Sequence, residues 1–244
     1  RFIQHDKNYE RAKSRNTGMQ NAQGQYLTFL DSDDFMYPDN LQDAYDFIKK
    51  NPNTKVFHNL YELVNEKKEK VYGYNFQKLT NPLKQIAEGN FLSCIGVFLH
   101  KQVYSTVSWD ETPHLTGSED YDFWLRVIAH FPNLGRINKV NNGILEHSGR
   151  TVNTNTQQID KARQRFDYFI DKINQEEVYQ KYGSYRKKIK SSLWLYLAYM
   201  ARQAKQKRLL WGFLKKAFNT DKSIVYRRDT YSFLFFLIKS TFSK

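Results

Sequence analysis

Tyr26-Leu27-Thr28-Phe29-Leu30-Asp31-Ser32-Asp33-Asp34 decides how this chain is read, because a run of strand-forming residues ends there in three carboxylates within four positions. Strands of α/β proteins carry their chemistry at such ends, where loops gather polar groups above an apolar sheet. Read as a strand running into its tip, the stretch sends alternate side chains to opposite faces. Asp31 and Asp33 then project the same way and can share one hard cation through oxygen ligands. A cation held by two carboxylates suits a phosphate-bearing substrate. Read without their context, the same carboxylates are a polar turn capping the next helix. An EF-hand is excluded, since Phe35 stands where that loop needs an oxygen ligand and no Gly follows.

Upstream of the run, residues 9–23 read as a helix, and Gly24 marks the turn into a strand over 25–30. Downstream, Pro38 opens a helix over 39–50, with Leu41, Ala44, Tyr45 and Ile48 at helical spacing and Asn51-Pro52 as its stop. Residues 55–64 and 70–76 read as strands joined by the charged turn 65–69, a helix being the alternative for the first. Residues 82–88 form a short helix closed by Gly89, and 91–100 an apolar run of strand length. Residues 119–130 are helical, with Tyr121, Trp124, Leu125 and Ile128 on one side, and 136–145 give one or two short strands. After Thr156 only helical periodicity remains. Ile159, Ala162, Phe166, Phe169, Ile170 and Ile173 make one apolar stripe, and Val178, Tyr182, Tyr185, Ile189 and Leu193 another.

The composition, 40% hydrophobic and 16% aromatic over 244 residues, is that of a chain able to bury a substantial core. Its single cysteine, Cys94, excludes an intrachain disulfide framework and fits the cytoplasm. No apolar run reaches the roughly 18 to 20 residues of a transmembrane helix. Charge is divided unevenly: residues 1–156 hold 18 basic and 18 acidic side chains, whereas residues 157–244 hold 20 basic against 7 acidic. Two different surfaces are therefore joined in one chain.

Arg11-Ala12-Lys13-Ser14-Arg15-Asn16-Thr17-Gly18, then Ala22-Gln23-Gly24-Gln25-Tyr26-Leu27, then Phe29 to Asp34 resemble in order and spacing the family 2 glycosyltransferases of the GT-A fold. The resemblance implies an α/β domain over residues 1–155, a GT-A mixed sheet flanked by helices, followed by an all-helical basic region over 156–244. It implies that Asp31 and Asp33 hold Mn²⁺ or Mg²⁺, which holds the diphosphate of a nucleotide-sugar donor, with Asp34 nearby either to support those ligands or to cap the loop. It places Arg15 and Asn16 against the donor's nucleotide. A haloacid-dehalogenase-like phosphatase also sets an aspartate pair after an apolar strand, but Thr or Val is expected where Phe35 stands.

Gly117-Ser118-Glu119-Asp120-Tyr121-Asp122-Phe123-Trp124-Leu125-Arg126 is by itself a helix start, with Ser118 as cap and an acidic first turn. It also resembles the family's glutamate-aspartate motif, which makes Asp120 the general base and Glu119 a group that orients it or binds acceptor. In Glu146-His147-Ser148-Gly149-Arg150, the resemblance lets His147 complete the metal shell and Arg150 reach the diphosphate. Trp109, in a loop segment containing Pro113 and Gly117, is read either as a platform for an acceptor sugar or as core. The implied reaction is inverting transfer to a hydroxyl of a glycan or lipid-linked acceptor in surface polysaccharide or glycolipid synthesis. Attack needs a base, and departure of the diphosphate needs a counter-charge.

The chain opens at Arg1 in mid-stride, so it reads as a fragment whose nucleobase-binding strands and Asp-Asp-Gly-Ser element lie upstream and whose activity alone is not expected. The helical tail interleaves Lys187-Lys188, Lys207-Arg208, Lys215-Lys216 and Arg227-Arg228 with Trp194, Trp211, Phe213 and the cluster 233–238. That pattern suits the anionic cytoplasmic face of a membrane. The rival is a nucleic-acid-binding protein with a degenerate enzyme domain, but no nucleic-acid module motif is present, so nucleic acid is not an expected partner.

Overall fold

The computed structural model describes residues 1–146 and 156–226. Of these, 1–86 and 90–146 form one compact unit, and 87–89 with 156–226 a second. The first unit runs α1 (Glu10–Asn21), β1 (Tyr26–Leu27), β2 (Phe35–Met36), α2 (Asn40–Lys50), β3 (Val56–Val64), β4 (Lys70–Gly73), α3 (Pro82–Glu88, its last two residues counted with the second unit), β5 (Val97–His100), α4 (Lys101–Tyr104), α5 (Glu119–His130) and β6 (Leu134–Leu145). Its sheet is mixed, in the order β1-β5-β3-β6-β2. β6 lies parallel to β3 along its whole length, while the other edge of β3 is shared by β5 at Val56–His58 and β4 at Glu62–Val64, both antiparallel.

Aromatic stacking fixes the sheet to α2. Phe57, fully buried on β3, stacks between Phe47 of α2 at 4.6 Å and Phe98 of β5 at 4.8 Å. Gly135 admits this contact, since a Cβ there would lie 2.7 Å from the Phe47 ring. The helical spacing of α2 is as read, and Ala44 and Ile48 of that stripe pack on the sheet with Phe47, but Leu41 and Tyr45 are exposed. The buried Asn40, which bonds to Asn141 and Asn142 of β6, takes the inward side ahead of them.

Three further expectations shift. Residues 91–96 leave the strand, and Gly96 takes φ +80°, bringing its backbone against the Asn59 and Asn142 side chains. Of the one or two short strands read over 136–145, the single one holds, but it is longer, the twelve-residue β6 beginning at Leu134. The run into the acidic stretch pairs as a strand only at Tyr26–Leu27, with one isolated bridge from Phe29 to Ile95. Asp31–Asp34 is a turn, closed by the Asp34 N–H donating to the Asp31 carbonyl at 3.1 Å. Alternation along a strand therefore does not set the directions of Asp31 and Asp33.

The second unit is helical: α6 (Thr156–Gln175), a 3₁₀ segment (Glu177–Tyr185), α7 (Arg186–Gln203) and α8 (Lys207–Thr220). Ile159, Ala162, Phe166, Phe169 and Ile173 are buried as their spacing foretells. The second stripe does not lie on one helix, because Gly183 at φ +50° separates the turns carrying Tyr179 and Tyr182 from α7 with Ile189 and Leu193.

Candidate active site

α1 buries Ala12, Arg15, Asn16 and Met19, so half of its inward face is polar. A helix spends burial on Arg and Asn only where partners wait for them. For Asn16 the partner is the chain before α5. Its Oδ1 accepts the Trp109 N–H at 2.8 Å, and its Nδ2 donates to the Trp109 carbonyl at 2.9 Å and to Glu111 Oε1 at 2.7 Å. Both amide protons are thereby spent on positioning this loop. For Arg15 the partner is Asp31, whose two carboxylate oxygens accept from Nη2 at 3.1 and 3.2 Å.

Trp109 belongs to the core. It is 2% exposed, one face stacked on Phe123 at 4.0 Å, with the Arg15 guanidinium 4.7 Å from the ring. With its surface taken, it cannot be a platform for a sugar, and of the two readings offered by the sequence the packing one holds.

The acids at the start of α5 are adjacent in sequence but turned apart, as a helix requires. Glu119 is buried and held on all sides: Oε2 accepts the Gly117 N–H, Arg11 Nη2 lies 3.1 Å from Oε1, and Arg15 Nη1 lies 3.8 Å from it. Glu119 also borders a hollow of about 310 Å³ lined by Lys7, Tyr9, Arg11, Asp110 and Thr116. Asp120 faces elsewhere, where Oδ2 accepts from Asn90 Nδ2 at 3.0 Å and Oδ1 from the Tyr121 N–H at 2.7 Å. Burial, reinforced by the Glu119 charge, raises its pKa above the ordinary carboxylate value, against the pull of the Tyr121 N–H and the two arginines. Ser118 does not cap α5 through its side chain; its hydroxyl donates to the Gly117 carbonyl instead.

Asp31 keeps 38% of its side chain exposed, and Asp33 is exposed beside it. Asp34 ties its turn to the end of β6, its Oδ1 accepting the Leu145 N–H at 3.1 Å. Among the described residues no group of three or more His, Cys, Asp or Glu side chains is arranged to hold a metal. The Asp31–Asp33 pair is nevertheless hard-oxygen donor chemistry within reach of solvent, which fits a cation whose remaining positions are filled by phosphate oxygens and water. His147 and Arg150 lie outside the described residues.

Three partners escaped the sequence reading. Asn90 and Arg11 hold Asp120 and Glu119; nothing in its local sequence marks Asn90, and Arg11 stands in the stretch that carries the resemblance without a role of its own. Cys94 is buried among the charges of Arg15, Asp31, Glu119 and Asp120, and burial pushes its thiol pKa well up. His58 is buried on β3, where its Nε2 accepts from Arg136 at 3.0 Å, and burial, followed by the Arg136 charge, lowers its pKa to about 3.

Comparison with known proteins places the chain in the glycosyltransferase class. A family model described as glycosyltransferase like family 2 matches residues 2–215, and the chain belongs to that family. It is 26% identical over 134 residues to an uncharacterised glycosyltransferase of Methanocaldococcus jannaschii, covering 53% of this chain and 44% of the relative. It is 27% identical over 197 residues to one of Haemophilus influenzae, covering 74% and 64%. A Rickettsia felis glycosyltransferase shares 43% over 63 residues, 26% of this chain and 10% of that protein. The chain thus spans less than two thirds of the length of each. A crystal structure of S. aureus TarS 1–349 in complex with UDP-GlcNAc is 14% identical and covers 87% of this chain and 72% of that one, with a TM-score of 0.49.

Proposed function

We propose that the chain is the catalytic part of an inverting glycosyltransferase that moves a sugar from a nucleoside-diphosphate donor to an acceptor hydroxyl, in assembly of a polysaccharide or glycolipid. The observation that carries this reading, within a family 2 chain, is the convergence of α1 on two acidic elements far apart in sequence. Arg15 binds Asp31 and reaches toward Glu119, while Asn16 anchors the loop that leads into the Glu119–Asp120 helix start. Departure of a diphosphate and attack by a hydroxyl need such separate sites close together.

Asp120 is the general base. Its raised pKa makes it a better proton acceptor than an exposed aspartate, and Asn90 holds the carboxylate in place. Asp31 and Asp33 would hold Mn²⁺ or Mg²⁺, which when bound supplies counter-charge to the leaving diphosphate. Glu119 borders the hollow, which would receive the acceptor. The family match displaces the phosphatase reading.

No helix of the described residues is long and apolar enough to cross a membrane. A peripheral contact with an anionic bilayer is favoured by α8, which exposes Trp211 and Phe218 beside Lys207, Arg208 and Lys215.

A panel of nucleoside-diphosphate sugars with hydroxyl acceptors, assayed for released nucleoside diphosphate and for glycosylated product, tests the activity. Product with one donor class supports the reading. Hydrolysis of phosphate monoesters with no transfer would contradict it.

A further inference from the structure

Arg15 stands between the two acidic elements and is held so that it can serve either. Through Nη2 it grips both oxygens of Asp31. Its Nη1 is buried, makes no hydrogen bond, and stops 3.8 Å from Glu119 Oε1. A buried guanidinium nitrogen left without an acceptor is costly, and here the nearest remedy is a carboxylate less than 1 Å beyond hydrogen-bond reach. Arg15 itself has little room to leave, since it is 7% exposed and lies against the Trp109 ring. Asp31 differs: it sits in a turn with 38% of its side chain open to solvent. Of the three groups, then, Asp31 has an open side, and the guanidinium can re-divide its bonds without moving far.

We propose that Arg15 is a positioning residue that couples the cation site to the acceptor side: it is the counter-cation of Asp31 until a divalent ion with its diphosphate claims that carboxylate, whereupon Nη1 closes on Glu119. The proposal rests on Asp31 and Asp33 being the cation's ligands. The physical basis is competition, because the guanidinium and the divalent ion seek the same oxygens and repel each other. Glu119 is already fixed at Oε2 by the Gly117 N–H and at Oε1 by Arg11, so one more bond from Arg15 completes its surroundings beside Asp120. The acceptor side is thereby tightened only when donor is loaded. Such coupling is reciprocal: whatever the ion does to Glu119 through Arg15, Glu119 does to the ion.

Free Mn²⁺, measured by electron paramagnetic resonance while titrating the full chain in saturating UDP, reads this directly. R15Q removes the competitor and is expected to bind Mn²⁺ tighter, on the order of fivefold. E119Q removes Arg15's second partner, throws the guanidinium back onto Asp31, and is expected to weaken Mn²⁺ by a similar factor. In R15Q/E119Q the weakening should vanish, whereas plain loss of a nearby negative charge would persist there. Mn²⁺ binding unchanged or weaker in R15Q, or a persisting effect of E119Q, overturns the coupling. Should R15Q not fold, R15K takes its place, since one ammonium cannot bridge two carboxylates. E119Q is then expected to have no effect in the R15K background, and an undiminished effect overturns the proposal. D31N/D33N separates the two readings. If Mn²⁺ binding survives it, the cation site and the coupling both fall; if binding needs Asp31 and Asp33 but ignores Arg15, the coupling alone falls.

Discussion

Asn16 holds Trp109 by both of its main-chain polar groups, accepting the N–H at 2.8 Å and donating to the carbonyl at 2.9 Å across 93 positions of sequence. This pair of bonds is what seats the loop before α5 against α1. It also lays the Trp109 ring over Phe123 on one hand and near Arg15 on the other, so the candidate site is built on a rigid aromatic floor.

Asn16→Ala strands two buried main-chain groups and is expected to cost roughly 3 kcal/mol of stability, counting about 1 to 3 kcal/mol for each. Asn16→Asp should do no better, because it sets a carboxylate oxygen against the Trp109 carbonyl and Glu111. Urea denaturation of the two variants checks this. A midpoint equal to wild type would show that the loop does not depend on Asn16.

Gly96→Ala should be among the most damaging single-methyl changes in the sheet unit. Gly96 has φ +80°, and a Cβ there would lie 2.2 Å from Asn59 Oδ1 and 2.3 Å from Asn142 Nδ2. Left-handed strain alone costs roughly 1 to 2 kcal/mol, and forcing apart the buried asparagines adds to it. Thermal melting that is unshifted would contradict the close packing of this seam.

Much of this arrangement was legible in the residues themselves. Periodicity placed α1, α5 and the buried stripe of α6, β3 was legible as a strand or a helix, and the order and spacing of the residues from Arg11 to Asp34 carried the family. What could not be read depends on partners distant in sequence. Strand character in Tyr26–Leu30 stops early because β5 pairs only with Tyr26 and Leu27, leaving Asp31–Asp34 to close as a turn. That Asn40, a polar residue, shares the inward side of α2 with Ala44 could not be read from spacing, because its partners lie on β6. Trp109 looked equally suited to a loop surface and to the core, and only its contacts with Phe123 and Arg15 decide.

The pH dependence of transfer should follow Asp120. A general base works as its anion, so activity should fall as pH is lowered through a pKa that burial and Glu119 hold above the ordinary carboxylate value. Asn90 donates to the anion, so Asn90→Ala should move this acid limb to still higher pH. The same raised pKa means that the ionised carboxylate opposes folding: the stability it contributes is present at low pH and lost as pH rises through the folded value. Asp120→Asn should therefore be no less stable than wild type at neutral pH. An acid limb unmoved in N90A, or a destabilised D120N, would count against this assignment.

The exposed α8 face should carry the chain onto anionic vesicles, and binding should weaken as salt rises. Replacing Lys207, Arg208 and Lys215 with Gln should remove roughly 1 kcal/mol of attraction for each residue engaged. Trp211→Ala with Phe218→Ala should weaken binding less but also to neutral lipid. Cosedimentation across a series of anionic lipid contents is the measurement. Binding that ignores lipid charge would reject the membrane contact, and salt-resistant retention of nucleic acid in a parallel gel shift would favour its rival.

The most direct test of the central claim is the single-turnover rate of sugar transfer by Asp120→Asn, measured beside calorimetric affinity for UDP and Mn²⁺. Loss of the base without disturbance of the donor site predicts a rate lower by roughly 10² to 10⁴-fold with donor affinity unchanged. Near-normal transfer by D120N would contradict the account.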